Sequence, residues 1–332
     1  MLKTLLLMLC ACVVTVSAQK PVDSDDVIRV DADVTNLLFT ATDKQRRFLT
    51  TLKSEDVRVL EDGVPQQLFT FQHETDRALA LAILIDVSSS QQRTLPQEKA
   101  AARLFIENVL RARTDEAAIV AFTGPAFVEQ EMTRNVVNIY RALERIETSD
   151  NNYLGTGRQL TGIPTGPGQM APPEQGTTAI WDAITLTANQ ILGRPANARR
   201  RAIILLTDGW DWNSRVTRSK AVESVLAAEA VIYVIGIGDG DKDGVNQGTL
   251  RDIAEQTGGR AFFPKKESEF NKVFLEIEQE LRTQYLVAYS STNKKRDGSY
   301  RKIKVEISNP QLRKEKIQLR HRPGYFAIKR SP

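Results

Sequence analysis

Apolar and polar positions follow two different periods along the chain. Between residues 27 and 72 they alternate with a period of two in short segments, and the same alternation returns between residues 285 and 327. Such alternation is typical of strands with one buried face. From Leu79 to residue 284, continuous apolar runs alternate instead with segments of helical periodicity. This middle part predicts an α/β domain with a doubly wound, mostly parallel, Rossmann-like sheet.

The elements of the middle part follow from these runs. We predict buried strands at residues 79–87, 117–122, 201–207 and 231–237. We predict helices near residues 97–110, 136–146, 179–192, 220–230, 250–256 and 269–284. Residues 151–175 are rich in Gly, Pro, Thr and Gln without an apolar period, so they predict a long loop. That loop is either a tolerated insertion or a lid over the adjoining edge of the sheet.

The predicted layout divides the chain at three boundaries. Residues 1–18 are a secretory signal, 19–76 a β region, 77–284 the α/β domain and 285–332 a second β region. Neither β region is long enough to bury much apolar surface alone. We therefore expect the two to pack together as a small sandwich, with the α/β domain inserted between them.

The amino terminus predicts export. Lys3 supplies a positive start, an apolar core runs from Leu5 to Val16, and small residues ending at Ala18 form a cleavage site. The product would be periplasmic or secreted. In a competing interpretation the segment is a lipoprotein signal that leaves Cys12 lipidated. Cys10 and Cys12 are the only cysteines, so a chain starting at residue 19 has neither a disulfide nor a thiolate metal site.

Composition narrows the function classes. A hydrophobic fraction of 41% and a charged fraction of 26% are ordinary for a soluble globular protein, and no stretch after the signal is apolar enough for a membrane helix. Residues 291–332 carry 13 Lys and Arg against 3 Asp and Glu. This basic tail either contacts an anionic envelope surface or is simply solvated. We expect no nucleic-acid partner, because the tail has no aromatic stacking platform.

The strongest chemical motif follows the first buried strand. Asp86, Ser88 and Ser90 occupy positions i, i+2 and i+4, which project to one side of extended backbone. Carboxylate and hydroxyl oxygens are ligands suited to magnesium. The carboxyl end of a central strand is also where open α/β sheets bind ligands. Alone, the motif could equally be a turn that caps a helix.

Two later residues favour a metal site over a capping turn. Thr178 opens a predicted helix, and Asp208 ends a second buried strand. Together with the first loop they resemble a von Willebrand factor type A domain, whose metal-ion-dependent adhesion site joins a DxSxS loop to a distant Thr and a distant Asp. The resemblance implies five metal-site residues, with Thr177 as the neighbouring alternative to Thr178: Asp86, Ser88, Ser90, Thr178 and Asp208. It also implies hydroxyls bound directly to Mg²⁺, or Mn²⁺, and an open position for an acidic side chain.

The flanking regions resemble those of the VWFA-related proteins of acidobacteria. That similarity is carried by two short strings, residues 60–67 (LEDGVPQQ) and residues 322–326 (RPGYF). It extends the resemblance to nearly the whole chain. The family is defined by its architecture more than by an assigned biochemistry.

We therefore predict a non-enzymatic, magnesium-dependent protein-binding module whose partner supplies a Glu or Asp. The resemblance adds a shift of the helix near residues 269–284 as the coordination changes. One alternative is a hydrolase that uses the metal or one of the serines 88–90. Against it, no GxSxG elbow or phosphate-binding glycine motif is present, and His73 and His321, the only histidines, lie outside the α/β pattern. The other alternative is an envelope component in which the metal only stabilises the loops.

Two further segments lie near the predicted metal. Trp210 and Trp212 follow Asp208, where they either contact a partner or pack structurally. Residues 239–244 (DGDKDG) resemble the start of a calcium-binding EF-hand loop. The position of its bidentate Glu is taken by Leu250, so we interpret the segment as a solvated acidic loop or an auxiliary calcium site.

Overall fold

A computed structural model describes residues 34–74, 77–148, 155–163, 178–193, 199–238 and 244–329. The predicted signal at residues 1–18 and the acidic residues 239–243 lie outside this described part. Within it, no helix has the length and apolar character needed to cross a membrane.

The elements are given in chain order. The strands are β1 (Val34–Thr42), β2 (Val57–Glu61), β3 (Val64–Pro65), β4 (Leu68–Glu74), β5 (Leu79–Asp86), β6 (Glu116–Phe122), β7 (Ala126–Thr133), β8 (Arg158–Leu160), β9 (Arg200–Thr207), β10 (Ala230–Gly236), β11 (Ala261–Phe262), β12 (Gln284–Ser290), β13 (Tyr300–Ile307), β14 (Gln318–His321) and β15 (Gly324–Phe326). The helices are α1 (Leu95–Val109), α2 (Val136–Arg145), α3 (Ile180–Thr187), α4 (Arg218–Ala227), α5 (Gln247–Thr257), α6 (Glu267–Arg282) and α7 (Pro310–Arg313). A π-helical turn, Ala188–Leu192, continues α3.

The predicted doubly wound sheet is confirmed. Its strand order is β11-β10-β9-β5-β6-β7-β8, and it is parallel from β11 to β6. All residues of β5 are buried, because helices cover both faces. Consecutive β5 residues, such as Ile83 and Leu84, enter opposite core layers. One layer contains α1, α2 and α6, and the other contains α3, α4 and α5.

Three strands of the central sheet were not predicted, namely β7 and the two edge strands β8 and β11. Strand β7 pairs antiparallel with β6, and β8 pairs antiparallel with β7. The interpretation of residues 151–175 as one long loop is therefore wrong at residues 158–160. A Cβ on Gly157 would lie 1.7 Å from the Val128 carbonyl oxygen, so only glycine permits this close approach to β7. Residues 164–175 of the predicted loop lie outside the described part.

The β regions on either side of the α/β domain share two sheets. Their strand orders are β14-β1-β12-β4 and β15-β13-β2-β3, so each sheet combines strands from before and after the domain. Leu37, Phe39 and Val59 from the first region pack with Tyr285 and Val305 from the second. The domain boundaries at residues 76 and 284 stay a prediction.

Candidate metal centre

The candidate site lies where the strand order of the central sheet reverses. Strand β5 pairs with β9 on one side and with β6, the next strand in sequence, on the other. The chain therefore leaves β5 at a topological switch point, the usual ligand-binding position of an open α/β sheet. Asp86 is the last residue of β5 and is 0% exposed.

The first loop folds around the Asp86 carboxylate. The Ser88 hydroxyl donates to Asp86 Oδ1 at 2.6 Å, and the Ser88 backbone amide donates to the same oxygen at 3.0 Å. The two hydroxyl oxygens of Ser88 and Ser90 are 3.1 Å apart. The alternating positions predicted to face one side thus form one continuous group of oxygens.

Strand β9 brings the second carboxylate to this group. The Ser90 hydroxyl donates to Asp208 Oδ2 at 2.9 Å, although the two residues are 118 positions apart in sequence. Thr207, the last residue of β9, donates its hydroxyl to Asp86 Oδ2 at 2.6 Å. Parallel pairing of β5 and β9 places both strand ends at the same edge, which explains the contact.

Thr178 lies beside these residues through its backbone. Its carbonyl oxygen accepts from the amides of Trp212 and Asn213, at 2.9 and 3.0 Å, in the segment that follows Asp208. The next amide, that of Ala179, donates to the Thr123 carbonyl at the end of β6, at 2.9 Å. Thr178 is buried. The structure thus places it next to the Asp208 loop, while Thr177 lies outside the described residues.

The electrostatics of the site favour a cation. Burial and the neighbouring charge of Asp208 raise the pKa of Asp86 from 3.8 to about 7, although hydrogen bonds from Ser88 and Thr207 lower it. Burial also raises the pKa of Asp208. Two buried carboxylates this close destabilise each other's charged forms unless a proton or a metal intervenes.

The donor set fits a hard divalent ion. Two carboxylates and several hydroxyls are the oxygen ligands that magnesium and manganese take. In the described part of the chain, no three residues of the His, Cys, Asp and Glu types form a metal-binding group. A site here therefore depends on the serine and threonine hydroxyls as well as on the two aspartates.

A buried polar network behind the site was missed by the sequence analysis. Gln91 donates from Nε2 to Asp208 Oδ2 at 2.6 Å, and Thr94 donates to Gln91 Oε1 at 2.5 Å. Thr94 also contacts Glu98 Oε1 at 3.3 Å. Burial, together with the charges of Asp86 and Asp208, raises the pKa of Glu98 well above 4.5. The available signal was a glutamate at an apolar position of the α1 stripe, between the buried Leu95 and Ala102.

The two tryptophans after Asp208 differ in environment. Trp210 is partly buried and donates from Nε1 to the Gly244 carbonyl at 3.3 Å, whereas Trp212 is 72% exposed. Their rings stack at 6.2 Å between centroids. Asp211, between them, accepts from the Ile180 amide at 2.7 Å at the start of α3. This middle residue is thus a structural cap that the sequence analysis did not single out.

Comparison with known proteins gives one family match. Residues 168–276 match the von Willebrand factor type A domain, a range that contains Thr178 and Asp208 but not the loop after β5. No curated protein matches the chain.

Several solved structures resemble the chain. They include the conserved hypothetical protein BatB from Bacteroides thetaiotaomicron, with 20% identity, coverage of 63% of this chain and 100% of that one, and a TM-score of 0.44. A von Willebrand factor type A protein from Catenulispora acidiphila has 14% identity and a TM-score of 0.47, and the alignment covers 91% of this chain and 75% of that one. A third structure is proximal thread matrix protein 1 from the mussel byssus, described with a zinc-occupied MIDAS motif. It has 18% identity and a TM-score of 0.47, and the alignment covers 67% of this chain and 50% of that one.

At these identities and TM-scores the assignment rests on the family match and on the sheet of the chain itself. The match includes α3, α4, α5 and the first part of α6, and the strands it includes, β9, β10 and β11, lie in the doubly wound sheet. The chain contains a von Willebrand factor type A domain.

Proposed function

We propose that the protein is an exported, non-enzymatic module that binds a partner protein through a magnesium ion, with manganese as a substitute. One observation carries the proposal: Asp86, Ser88, Ser90 and Asp208 form a continuous hydrogen-bonded group at the switch point of the sheet. We include Thr178, whose backbone contacts the loop after Asp208, as the fifth proposed metal-site residue. The adhesion site that the family resemblance implies consists of the same residue types.

Some residues of the site would supply oxygens to the metal, and others orient its two carboxylates. The hydroxyls of Ser88 and Ser90 supply neutral oxygens, while the Thr207 hydroxyl and the Ser88 amide orient the Asp86 carboxylate. Gln91 orients Asp208. Bound magnesium would supply an electrophilic centre with room for an anionic oxygen. Since neutral hydroxyls do not cancel its charge, we expect the partner to contribute a Glu or Asp side chain.

The exposed Trp212 supports a binding role. A large aromatic side chain that is 72% exposed beside the site gives a partner apolar surface to bury. The Trp210 ring stacks against it and itself donates to the Gly244 carbonyl, so Trp210 gives the exposed ring of Trp212 one fixed side to pack on.

A hydrolytic function has less support. Both histidines belong to the sandwich, where His73 packs on Tyr285 and His321 accepts from the Val305 amide. The Ser88 hydroxyl donates to the buried Asp86 carboxylate, and no histidine adjoins it among the described residues. The carboxylate that accepts from Ser88 is Asp86, which we assign to the metal, so it would not be available as the base that a serine nucleophile or a metal-bound water needs.

The basic tail is a second proposed contact, with an anionic envelope surface. Its charge is only partly available, because Arg301 is buried and pairs with Glu61 at 3.2 Å. Within residues 294–304, four lysines remain exposed, namely Lys294, Lys295, Lys302 and Lys304. Export itself rests on residues 1–18, and amino-terminal sequencing of the protein from envelope and medium fractions would distinguish cleavage after Ala18 from lipidation of Cys12.

Partner capture from envelope extract tests the proposal. The immobilised protein should retain a partner in magnesium and release it in EDTA, and Trp212→Ala should weaken the retention. If the partner is retained in EDTA, the metal only stabilises the loops. If retention is instead lost when the four exposed lysines are changed to glutamine, attachment is electrostatic and the metal-dependent proposal is wrong.

A further inference from the structure

Glu98 is a fully buried carboxyl group behind the candidate metal centre. It belongs to α1 and is 0% exposed. Burial raises its pKa, as do the negative charges of Asp86 and Asp208. The next residue, Lys99, does not pair with it, because the Lys99 ammonium donates to two backbone carbonyls at the end of α2, at 2.9 and 3.1 Å. A third ionised carboxylate here would be repelled by both aspartates without a cation to compensate it.

The hydrogen bonds around Thr94 require Glu98 to be a donor. Three oxygens lie within hydrogen-bond distance of Thr94 Oγ1, namely Gln91 Oε1 at 2.5 Å, the Gln91 carbonyl oxygen at 3.3 Å and Glu98 Oε1 at 3.3 Å. A hydroxyl group has one hydrogen, and the shortest contact takes it because Gln91 Oε1 can only accept. Thr94 Oγ1 must then accept from Glu98, and a carboxyl group donates only when it is protonated.

The second oxygen of Glu98 agrees with this protonation state. Oε2 is buried and has no hydrogen-bond partner among the described residues. An ionised carboxylate shares its charge between both oxygens, so leaving one of them buried without a donor is costly. In the neutral acid, Oε1 carries the hydrogen and Oε2 is an uncharged carbonyl oxygen, whose burial costs less.

The side-chain amide of Gln91 has two possible orientations, and only one of them supports the metal centre. In the observed orientation Nε2 donates to Asp208 Oδ2 at 2.6 Å and to Ser90 Oγ at 3.1 Å. The reversed amide would place Gln91 Oε1 against the Asp208 carboxylate, where neither oxygen has a hydrogen to donate. An ionised Glu98 would favour that reversal. It would attract the Thr94 hydrogen, because charged acceptors form the stronger hydrogen bonds, and Gln91 Oε1 would lose its donor.

We infer that Glu98 is a protonated positioning residue of the metal centre. Its acid hydrogen binds the Thr94 hydroxyl, that hydroxyl donates to Gln91, and the Gln91 amide is thereby fixed toward Asp208. Glu98 thus gives the site a directed hydrogen bond and no charge. Its effect on metal affinity rests on the proposed function, whereas its protonation can be measured without metal.

Infrared spectroscopy on the full chain tests the protonation. Spectra are recorded in EDTA at pH 8, above the pKa of about 7 that Asp86 has in the fold. Wild type should show the carbonyl band of a buried carboxylic acid, and Glu98→Gln should lack it. The matched control is Glu107→Gln, on the exposed side of the same helix, which should keep the band. A wild-type spectrum without the band would overturn the inference and leave the proposed magnesium site standing.

Magnesium titration distinguishes a hydrogen-bond donor from a charge at this position. Glu98→Gln keeps a neutral group that can donate, so it should bind magnesium as wild type does. Glu98→Leu is similar in size but has no hydrogen to donate, so it should bind about tenfold more weakly. A tenfold loss in Glu98→Gln would show that the charge matters and would overturn the inference, as would wild-type affinity in folded Glu98→Leu.

Thr94 provides a second test that leaves Glu98 in place. Thr94→Val keeps the shape of the side chain but interrupts the chain of hydrogen bonds, so magnesium affinity should again fall about tenfold. In a Gln91→Ala background the same change should have no further effect, because the amide to be oriented is already missing. Additive losses would overturn the inference, and Thr94→Val decides if Glu98→Leu fails to fold. If wild type binds no magnesium, the proposed function and the positioning role are both wrong, and the infrared band still tests the protonation.

Discussion

The two edges of the central sheet carry opposite chemistry on the same strands. Strand β9 begins at Arg200 and is followed at its other end by Asp208, and β5 is preceded by Arg77 and ends at Asp86. At the carboxyl edge, buried acidic and hydroxyl oxygens contact each other directly. At the amino edge, arginines surround a cavity. In a parallel sheet all strands end at one edge and begin at the other, so residues that follow the strands gather at one edge and residues that precede them gather at the opposite edge.

The difference between the edges also explains why one was easier to recognise. Asp86, Ser88 and Ser90 are close in sequence and match a known spacing, whereas the arginine cavity gathers residues from 77 to 322 across two structural regions.

Neutralising Asp86 should stabilise the metal-free protein. Because the pKa of Asp86 is raised from 3.8 to about 7 in the folded state, its contribution to stability is fully present below about pH 4 and is lost as the pH rises through 7. The difference corresponds to a penalty on the order of 4 kcal/mol at pH 8. In EDTA, Asp86→Asn should therefore unfold at higher urea concentration than wild type at pH 8, with a smaller advantage at pH 5.

Magnesium should reverse this order. A cation compensates the charge of Asp86 in wild type but loses a carboxylate ligand in Asp86→Asn, so only wild type should gain stability when magnesium is added at pH 8. Asp252→Asn, on the exposed surface of α5, serves as the control. Equal urea midpoints for Asp86→Asn and wild type in EDTA at both pH values would contradict the raised pKa.

Gln91 should set metal affinity without being a proposed ligand. Its amide donates to Asp208 at 2.6 Å, and loss of such an orienting contact commonly lowers metal affinity by about 10- to 100-fold. Gln91→Ala should therefore weaken magnesium binding in a titration by about that factor. Gln92, its exposed neighbour, provides the matched control, and Gln92→Ala should bind as wild type does. Identical affinities in the two variants would assign Gln91 a purely structural role.

The smallest effect concerns Thr178. Thr178→Ala removes one neutral oxygen and leaves both aspartates, so we expect partner capture in magnesium to weaken several-fold, by about 1 kcal/mol. Thr178→Ser keeps the hydroxyl and should restore most of the capture. If the serine variant is as weak as the alanine variant, the threonine methyl group and its packing matter more than its oxygen.

Most of the fold could be predicted from the sequence, and the strands that were missed have a physical reason for being missed. The runs at Leu79 and Ala202 predict central strands because burial on both faces requires continuous apolar residues. Strands β7, β8 and β11 were not predicted because they are short or only partly buried and so have no continuous apolar run. The close pairing of β8 also depends on a single glycine, Gly157, which no hydrophobic period reveals.

Less of the candidate site than of the fold could be predicted from the sequence. Residues that are chemically distinctive, such as Asp86 and Asp208, could be chosen from their positions at strand ends. The Gln91–Thr94–Glu98 network could not, because its hydrogen bonds join a loop, a helix start and a distant strand end, and no local pattern encodes such contacts. Sequence thus indicated the proposed ligands, while the side chains that orient them required the structure.

Anomalous diffraction from crystals grown with manganese tests the central claim most directly, since manganese takes the same oxygen ligands as magnesium and its position can be located from the data. We predict a peak at the end of β5, within coordination distance of the Ser88 and Ser90 hydroxyls and beside Asp86, Thr178 and Asp208. The peak should vanish in crystals of Asp208→Ala. Well-diffracting wild-type crystals with no peak there, or with the same peak in Asp208→Ala, would contradict the account.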